Sequence, residues 1–232
     1  MGSDCQIPSF ESKEISVQEI GHNIVTFNLP KAWEYSQGEG VIIAVIDSGC
    51  DLDHPDLKNN LIEGKNFIEE GQPPYDKFFH GTHVTGILIA ENNEIGVVGV
   101  CPKAKVMPIK ALDNAVNGNI GNITNAIRWA ADHKVDFISL SFGSTRPLPH
   151  IRRAIQYAAR KNIITFAAAG NAGNNSSLFF PAAYPEVISV GAINHDLCRA
   201  DFSNIDVNLN FMAPGVDILS TIPNNKYSMM SG

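Results

Sequence analysis

Long apolar runs, runs of basic charge and paired cysteine spacings are all missing from this sequence. The longest wholly aliphatic stretch, residues 41–46 (VIIAVI), falls far short of the roughly 20 residues that span a bilayer. Lys and Arg total 17 against 24 Asp and Glu, a net charge of −7. An acidic chain without a basic run has nothing to hold a phosphate backbone or an anionic lipid surface, so neither nucleic acid nor a membrane is expected as a partner. The four cysteines, at 5, 50, 101 and 198, show no CxxC spacing and read as free thiols rather than a disulfide framework. Residues 1–5 carry neither a basic region nor an apolar core, which reads as a chain without a secretory signal and a cytoplasmic location. With 44% hydrophobic and 18% charged residues, disordered, collagen-like and coiled-coil chains are excluded.

What is present has the rhythm of an α/β domain. Residues 41–46 are continuously apolar, as in a strand buried on both faces. Further runs of strand length fall at 106–109, 135–140, 163–169 and 187–193. Between them Ile123, Ile127, Ala130 and Ala131 recur at helical spacing. So do Ile151, Ala154, Ile155, Ala158 and Ala159, with Pro147 and Pro149 ahead of them as start signals. Apolar strands alternating with helices predict βαβ units and a mostly parallel central sheet flanked by helices. Residues 1–16 are polar apart from an island at 6–10, and read as an extension outside the main core.

In such sheets ligands gather at the carboxyl ends of the strands. Three segments sit there: Asp47-Ser48-Gly49, Ser141-Phe142-Gly143 and Gly170-Asn171. By itself Asp47 reads as a turn former. The alternative is a carboxylate that orients a catalytic histidine. His80 and His83 open an apolar segment, and a pair at this spacing could also ligate zinc. No Glu stands between them as in HExxH, and neither Cys50 nor Cys101 has a partner at ligand spacing. His83 reads as a core histidine satisfied by hydrogen bonds.

The segments form an ordered set. Asp47-Ser48-Gly49 leads to His54-Pro55-Asp56-Leu57, then to His80-Gly81-Thr82-His83-Val84-Thr85-Gly86. Ala168-Ala169-Gly170-Asn171 and Phe211-Met212-Ala213-Pro214-Gly215 follow. This combination resembles the subtilisin family of serine endopeptidases, from about 18 to 232. The resemblance implies a three-layer α/β fold and hydrolysis of polypeptide substrates through an Asp/His/Ser triad. Asp47 would orient His80, His80 would be general base and then general acid, and Asn171 would donate its amide to the oxyanion. Ser141, Phe142 and Gly143 would pair with an extended substrate by strand addition. Ala169 and Gly170 would wall the pocket for the residue before the scissile bond. The family usually has Leu-Gly-Gly at 142–144 and Gly or Ser at 79; here stand Phe142-Gly143-Ser144 and Phe79, so the pocket's shape is not carried over.

The resemblance also implies calcium. The loop 91–97 matches the family's high-affinity calcium loop, and the carried-over ligands are the side chains of Gln18, Asp56 and Asn93 with the carbonyls of Glu91, Ile95 and Val97. An Asn/Gly-rich loop braced by a carboxylate suits an ion that takes six to eight oxygens. Residues 1–16, containing Ile7-Pro8, resemble the short propeptide of intracellular subtilisins, which implies the chain's own N-terminal segment as an inhibitor. A proline at the cleavage position would resist hydrolysis, having no N–H for strand pairing. The domain proper is then 17–232.

The family's nucleophile lies in a Gly-Thr-Ser-Met-Ala motif. Residues 223–232 resemble the segment leading into it, with Gly232 as its first glycine. The sequence is therefore expected to stop two residues before the serine, with the C-terminal part of the fold missing. Ser228 is expected in the preceding loop, and Ser231 is equally misplaced. The expectation is a chain inactive by itself: a truncated form, a large fragment holding a C-terminal fragment that carries the Ser, or a non-catalytic peptide-binding or regulatory homologue. Joint retention of Asp47, His80 and Asn171 favours the endopeptidase.

Overall fold

The structure, a computed structural model, describes residues 11–114, 117–173 and 176–232. The island at 6–10, with Ile7 and Pro8, lies outside the described residues. Two short helices, α1 (His22–Thr26) and α2 (Leu29–Trp33), precede strand β1 (Ile42–Asp47). There follow β2 (Lys65–Asn66), α3 (His80–Ile89), β3 (Lys105–Lys110), α4 (Ile120–Asp132) and β4 (Phe137–Leu140). The remainder is α5 (Pro149–Ala159), β5 (Ile164–Ala168), β6 (Val187–Ile193), β7 (Phe211–Pro214), β8 (Ile218–Ile222) and β9 (Lys226–Met230). The first seven strands form one parallel sheet in the order β2-β3-β1-β4-β5-β6-β7, while β8 and β9 form a separate antiparallel hairpin.

The continuous apolar run of β1 is explained by two cores. Ala44 and Ile46 join Ile123, Ile127 and Ala130 of α4 and Ile151, Ile155 and Ala158 of α5 on one face. Ile43 and Val45 join Ile89 of α3, Leu219 of β8 and Tyr227 of β9 on the other. Alternation along a strand sends successive side chains to opposite faces, so the run at 42–46, covered on both sides, is apolar at every position. Each fully buried isoleucine contributes roughly 1.5–3 kcal/mol of transfer free energy. The layers are α4 and α5, the sheet, then α3 with the hairpin. The Asn119 side chain caps α4 by accepting from Gly121 N, and Pro149 starts α5.

From β1 the chain runs to the edge strand β2, returns through β3, and then crosses to β4 and continues outward on the other side. The reversal leaves a crevice at the carboxyl ends of β1 and β4, the usual ligand position in an open parallel sheet.

Of the stretch read as an extension outside the main core, residues 11–16 are described, and they are tied to the hairpin. Lys13 and Tyr227 exchange both backbone hydrogen bonds, at 2.9 and 3.0 Å, and Ile15 packs on the second core. The open edge of β9 supplied backbone partners that composition cannot reveal.

Candidate active site

Asp47 closes β1 and is 1% exposed. Its Oδ1 accepts from Ser48 N at 2.7 Å and lies 2.8 Å from His80 Nδ1. With Nδ1 as the donor in this bond, neutral His80 keeps its lone pair on Nε2. The His80 side chain is 31% exposed. Burial disfavours the imidazolium, but the charge and hydrogen bond of Asp47, with the charge of Asp76, outweigh burial and raise the pKa above its ordinary value. Asp47 Oδ2 is buried without a hydrogen-bond partner among the described residues.

Ser48, already part of the strand-end segment, and Lys110 and Asp76, which the motifs did not mark, build the frame of this pair. Ser48 is a hub: besides its N–H to Asp47, its Oγ accepts from Gly81 N at 2.9 Å and its carbonyl accepts from Lys110 Nζ at 2.6 Å. Lys110 is the cross-strand neighbour of Asp47 and is 1% exposed. Burial pulls its ammonium below the ordinary value, opposed by the charges of Asp76 and Glu69. Asp76 holds the start of α3, accepting from Thr82 N at 2.9 Å and from Thr82 Oγ1 at 2.7 Å. Gly81 must lack a side chain, because a Cβ there would overlap the Gly49 carbonyl. These contacts bring the first turn of α3 against the end of β1.

Asn171 follows β5 on an exposed loop. Behind it, Asn204 anchors the loop: Asn204 N donates to Gly170 O, its Oδ1 accepts from Ala172 N, and its Nδ2 donates to Ser177 O. Ser141, Ala169, Gly170 and Asn171 line a cavity of about 190 Å³, together with Pro214 and Gly232. The cavity does not include Phe142 or Gly143 among its lining residues. The Phe142 side chain packs instead on the first core, where burial of an aromatic ring outweighs exposure in the crevice. Gly143 faces Phe179.

The six residues carried over as calcium ligands converge. Gln18 Nε2 lies 2.7 Å from Glu91 O, 3.2 Å from Val97 O and 3.4 Å from Ile95 O, so three carbonyls aim at one point beside an amide side chain. Asp56 is fully buried and touches Asn93 Nδ2 through Oδ1 at 3.1 Å, and Val97 N and Tyr227 Oη through Oδ2 at 3.0 Å each. Burial raises its pKa, with the hydrogen bonds from Val97, Asn93 and Tyr227 opposing. A set rich in carbonyl and amide oxygens with one carboxylate fits a hard cation. Rotation of the Gln18 amide by half a turn would bring its oxygen toward the same point.

Neither serine near the chain end faces His80. Ser228 lies in β9 rather than the expected loop, and its Oγ donates to Glu11 O at 3.1 Å. Its pairing opposite Ser220 placed it in a hairpin. Ser231 Oγ accepts from Asp217 N at 2.9 Å. His83 faces away from His80: its Nε2 lies 3.1 Å from both Ile218 O and Ser228 O. Burial lowers its pKa to about 4, so it is a neutral donor tying α3 to the hairpin.

The Subtilase family profile matches residues 38–232. An intracellular serine protease of Paenibacillus polymyxa is 42% identical over 228 residues, covering 95% of this chain and 70% of its own. The major intracellular serine protease of Bacillus subtilis is 37% identical over 238 aligned residues, 97% of this chain and 74% of its own. Subtilisin E of Bacillus subtilis is 41% identical over 199 residues, 84% of this chain and 52% of its own. No helix among the described residues is long and apolar enough to cross a membrane. A parallel sheet with its crevice at β1 and β4, a profile match over most of the chain and serine proteases as relatives lead to one assignment: the chain belongs to the subtilase family.

Proposed function

We propose that this chain carries the base, its orienting carboxylate and the oxyanion donor of a serine endopeptidase. The observation that carries the reading is the 2.8 Å bond between His80 Nδ1 and buried Asp47 Oδ1, which leaves Nε2 as the proton acceptor. A serine hydroxyl would give its proton to His80 Nε2 as its oxygen bonds to the substrate carbonyl carbon. Asn171 Nδ2 would donate to the resulting oxyanion. The imidazolium, stabilised by Asp47, then returns the proton to the leaving amine as the C–N bond breaks, and water repeats the sequence to release the acid. The substrate strand would pair with Ser141, Phe142 and Gly143, with Ala169 and Gly170 walling its side-chain pocket.

The resemblance of 223–232 to the segment before the family's Gly-Thr-Ser-Met-Ala motif assigns the serine to the second position after Gly232. Gly232 supports this: its N–H donates to Gly215 O at 2.8 Å, and a Cβ on it would lie 3.6 Å from Asn171 Nδ2. The test is labelling by an active-site-directed phosphonate. A chain continuing through that serine should be labelled there, and residues 1–232 alone should not. Labelling of Ser228 or Ser231, or no labelling of the longer chain, would overturn the reading.

Calcium is assigned to Gln18, Asp56 and Asn93 with the carbonyls of Glu91, Ile95 and Val97, supported by their convergence. The ion would cross-link the N-terminal segment to the loop after α3. Residues 1–16 are assigned as an inhibitory segment, supported by the strand pairing of Lys13 with Tyr227 and the Ser228–Glu11 contact. Deleting them should raise the peptidase rate of the longer chain; an unchanged rate would remove the assignment. The relatives' names support an intracellular site of action.

A further inference from the structure

The two backbone segments assigned as pocket walls have a ring between them. A Cβ on Gly143 would lie 2.9 Å from Phe179 Cβ and 3.3 Å from its Cδ2. A Cβ on Gly170 would lie 2.9 Å from Cγ and from Cδ2 of the same ring. The bare α-carbons of both glycines thus face one edge of one phenylalanine. That edge fills the space between the walls at the depth of the glycines.

The backbone holds the ring in place from both sides. Phe179 N donates to Ala169 O at 2.9 Å, tying it to one wall. Phe180 and Ser144 exchange both backbone hydrogen bonds at 2.8 Å, tying the next residue to the other wall just beyond Gly143. The pairing fixes the Phe179 Cβ, and Gly143 packs against that atom. Gly170 adopts φ +113, so a bulkier wall is excluded there as well.

We infer that Phe179 restricts the side chain accepted immediately before the scissile bond to small residues of the alanine and serine class. The inference rests on the endopeptidase reading and on its assignment of 141–143 and 169–170 as walls. A substrate side chain reaching past its own β-carbon meets ring atoms already in van der Waals contact with both glycines, and a close-packed site does not yield that volume without cost. A ring that only packs the 178–180 segment would not change the order of preference among substrates.

The test uses the chain extended through its serine and four peptides differing only at the residue before the scissile bond: Ala, Ser, Leu and Phe. The wild type should cleave the Ala and Ser peptides with kcat/KM at least about tenfold above the Phe peptide, the scale of a misfit of one or more methylenes. Phe179→Ala should raise kcat/KM for the Leu and Phe peptides by at least about tenfold relative to Ala, and Phe179→Leu should fall between. The wild-type order needs no variant to fold. Phosphonate labelling with cleavage that favours Phe or Leu in the wild type would overturn this inference and leave the endopeptidase reading standing. No labelling and no cleavage would overturn both.

Discussion

His80 Nδ1 and Asp47 Oδ1 stand 2.8 Å apart, and the same oxygen also takes the Ser48 N–H. Two donors on one carboxylate oxygen fix its direction. The acceptor lone pair of His80 is thereby aimed away from the sheet, toward the crevice.

Replacing Asp47 by Asn should lower the His80 pKa from its raised value, since burial is then opposed only by the charge of Asp76. A raised folded-state pKa stabilises the protein below the unfolded value of 6.5, and that contribution is lost as pH rises through the folded pKa. The pH-dependent part of the stability difference between wild type and D47N should therefore be largest below about pH 6.5. Imidazole NMR titration and denaturant unfolding at several pH values read both effects. An unchanged His80 pKa in D47N would sink the assignment of Asp47 as its orienting partner.

His83 gives the opposite sign. Its pKa of about 4 lies under the unfolded 6.5, so stability is full above pH 6.5 and falls as the pH drops toward 4, by on the order of 3 kcal/mol. In H83Q, whose amide can still donate, this slope should flatten. A denaturation midpoint equally acid-sensitive in H83Q would place the loss elsewhere.

Lys110→Met leaves the Ser48 carbonyl unpaired in a buried position. The expected cost is about 1–3 kcal/mol, measured by chemical denaturation. The pKa of His80 should shift too, because Ser48 holds both Asp47 and the first turn of α3. A change in stability with no movement of His80 would reduce Lys110 to core packing.

Calcium at 100 times its dissociation constant should stabilise the fold by about 2.7 kcal/mol, and chelation should remove that gain. Gln18→Ala and Asp56→Asn should each blunt the response of the thermal midpoint to calcium. A response preserved in both variants would show that any calcium effect arises at another place.

The alternating strand and helix pattern was legible because the apolar runs of β1 and of the middle of β3 are buried on both faces. β8 was not legible, for a physical reason. All five of its residues are buried, yet Ser220 and Thr221 are polar. Their hydroxyls donate to His83 O at 2.8 Å and Thr82 O at 2.9 Å, and such tertiary partners leave no periodic trace. Asp47, His80 and Asn171 stood out through motif spacing. Lys110 looked like an ordinary charge ending a strand, and Phe179 falls outside every predicted strand and helix, between the runs at 163–169 and 187–193. Its position between Gly143 and Gly170 depends on the bond from Phe179 N to Ala169 O and on the pairing of its neighbour Phe180 with Ser144, which no local pattern encodes.

The stitching of β8 and β9 to α3 has a mechanical consequence. Ser220, Thr221, Ile218 and Ser228 all bond to residues 82 and 83, within three positions of His80. The hairpin works as a gauge block, setting the distance between the helix that bears the base and the strand end that reaches Gly232. A shift of either element by one residue would break all four bonds together, so amide protection of α3 and β8 should vanish in a single opening event.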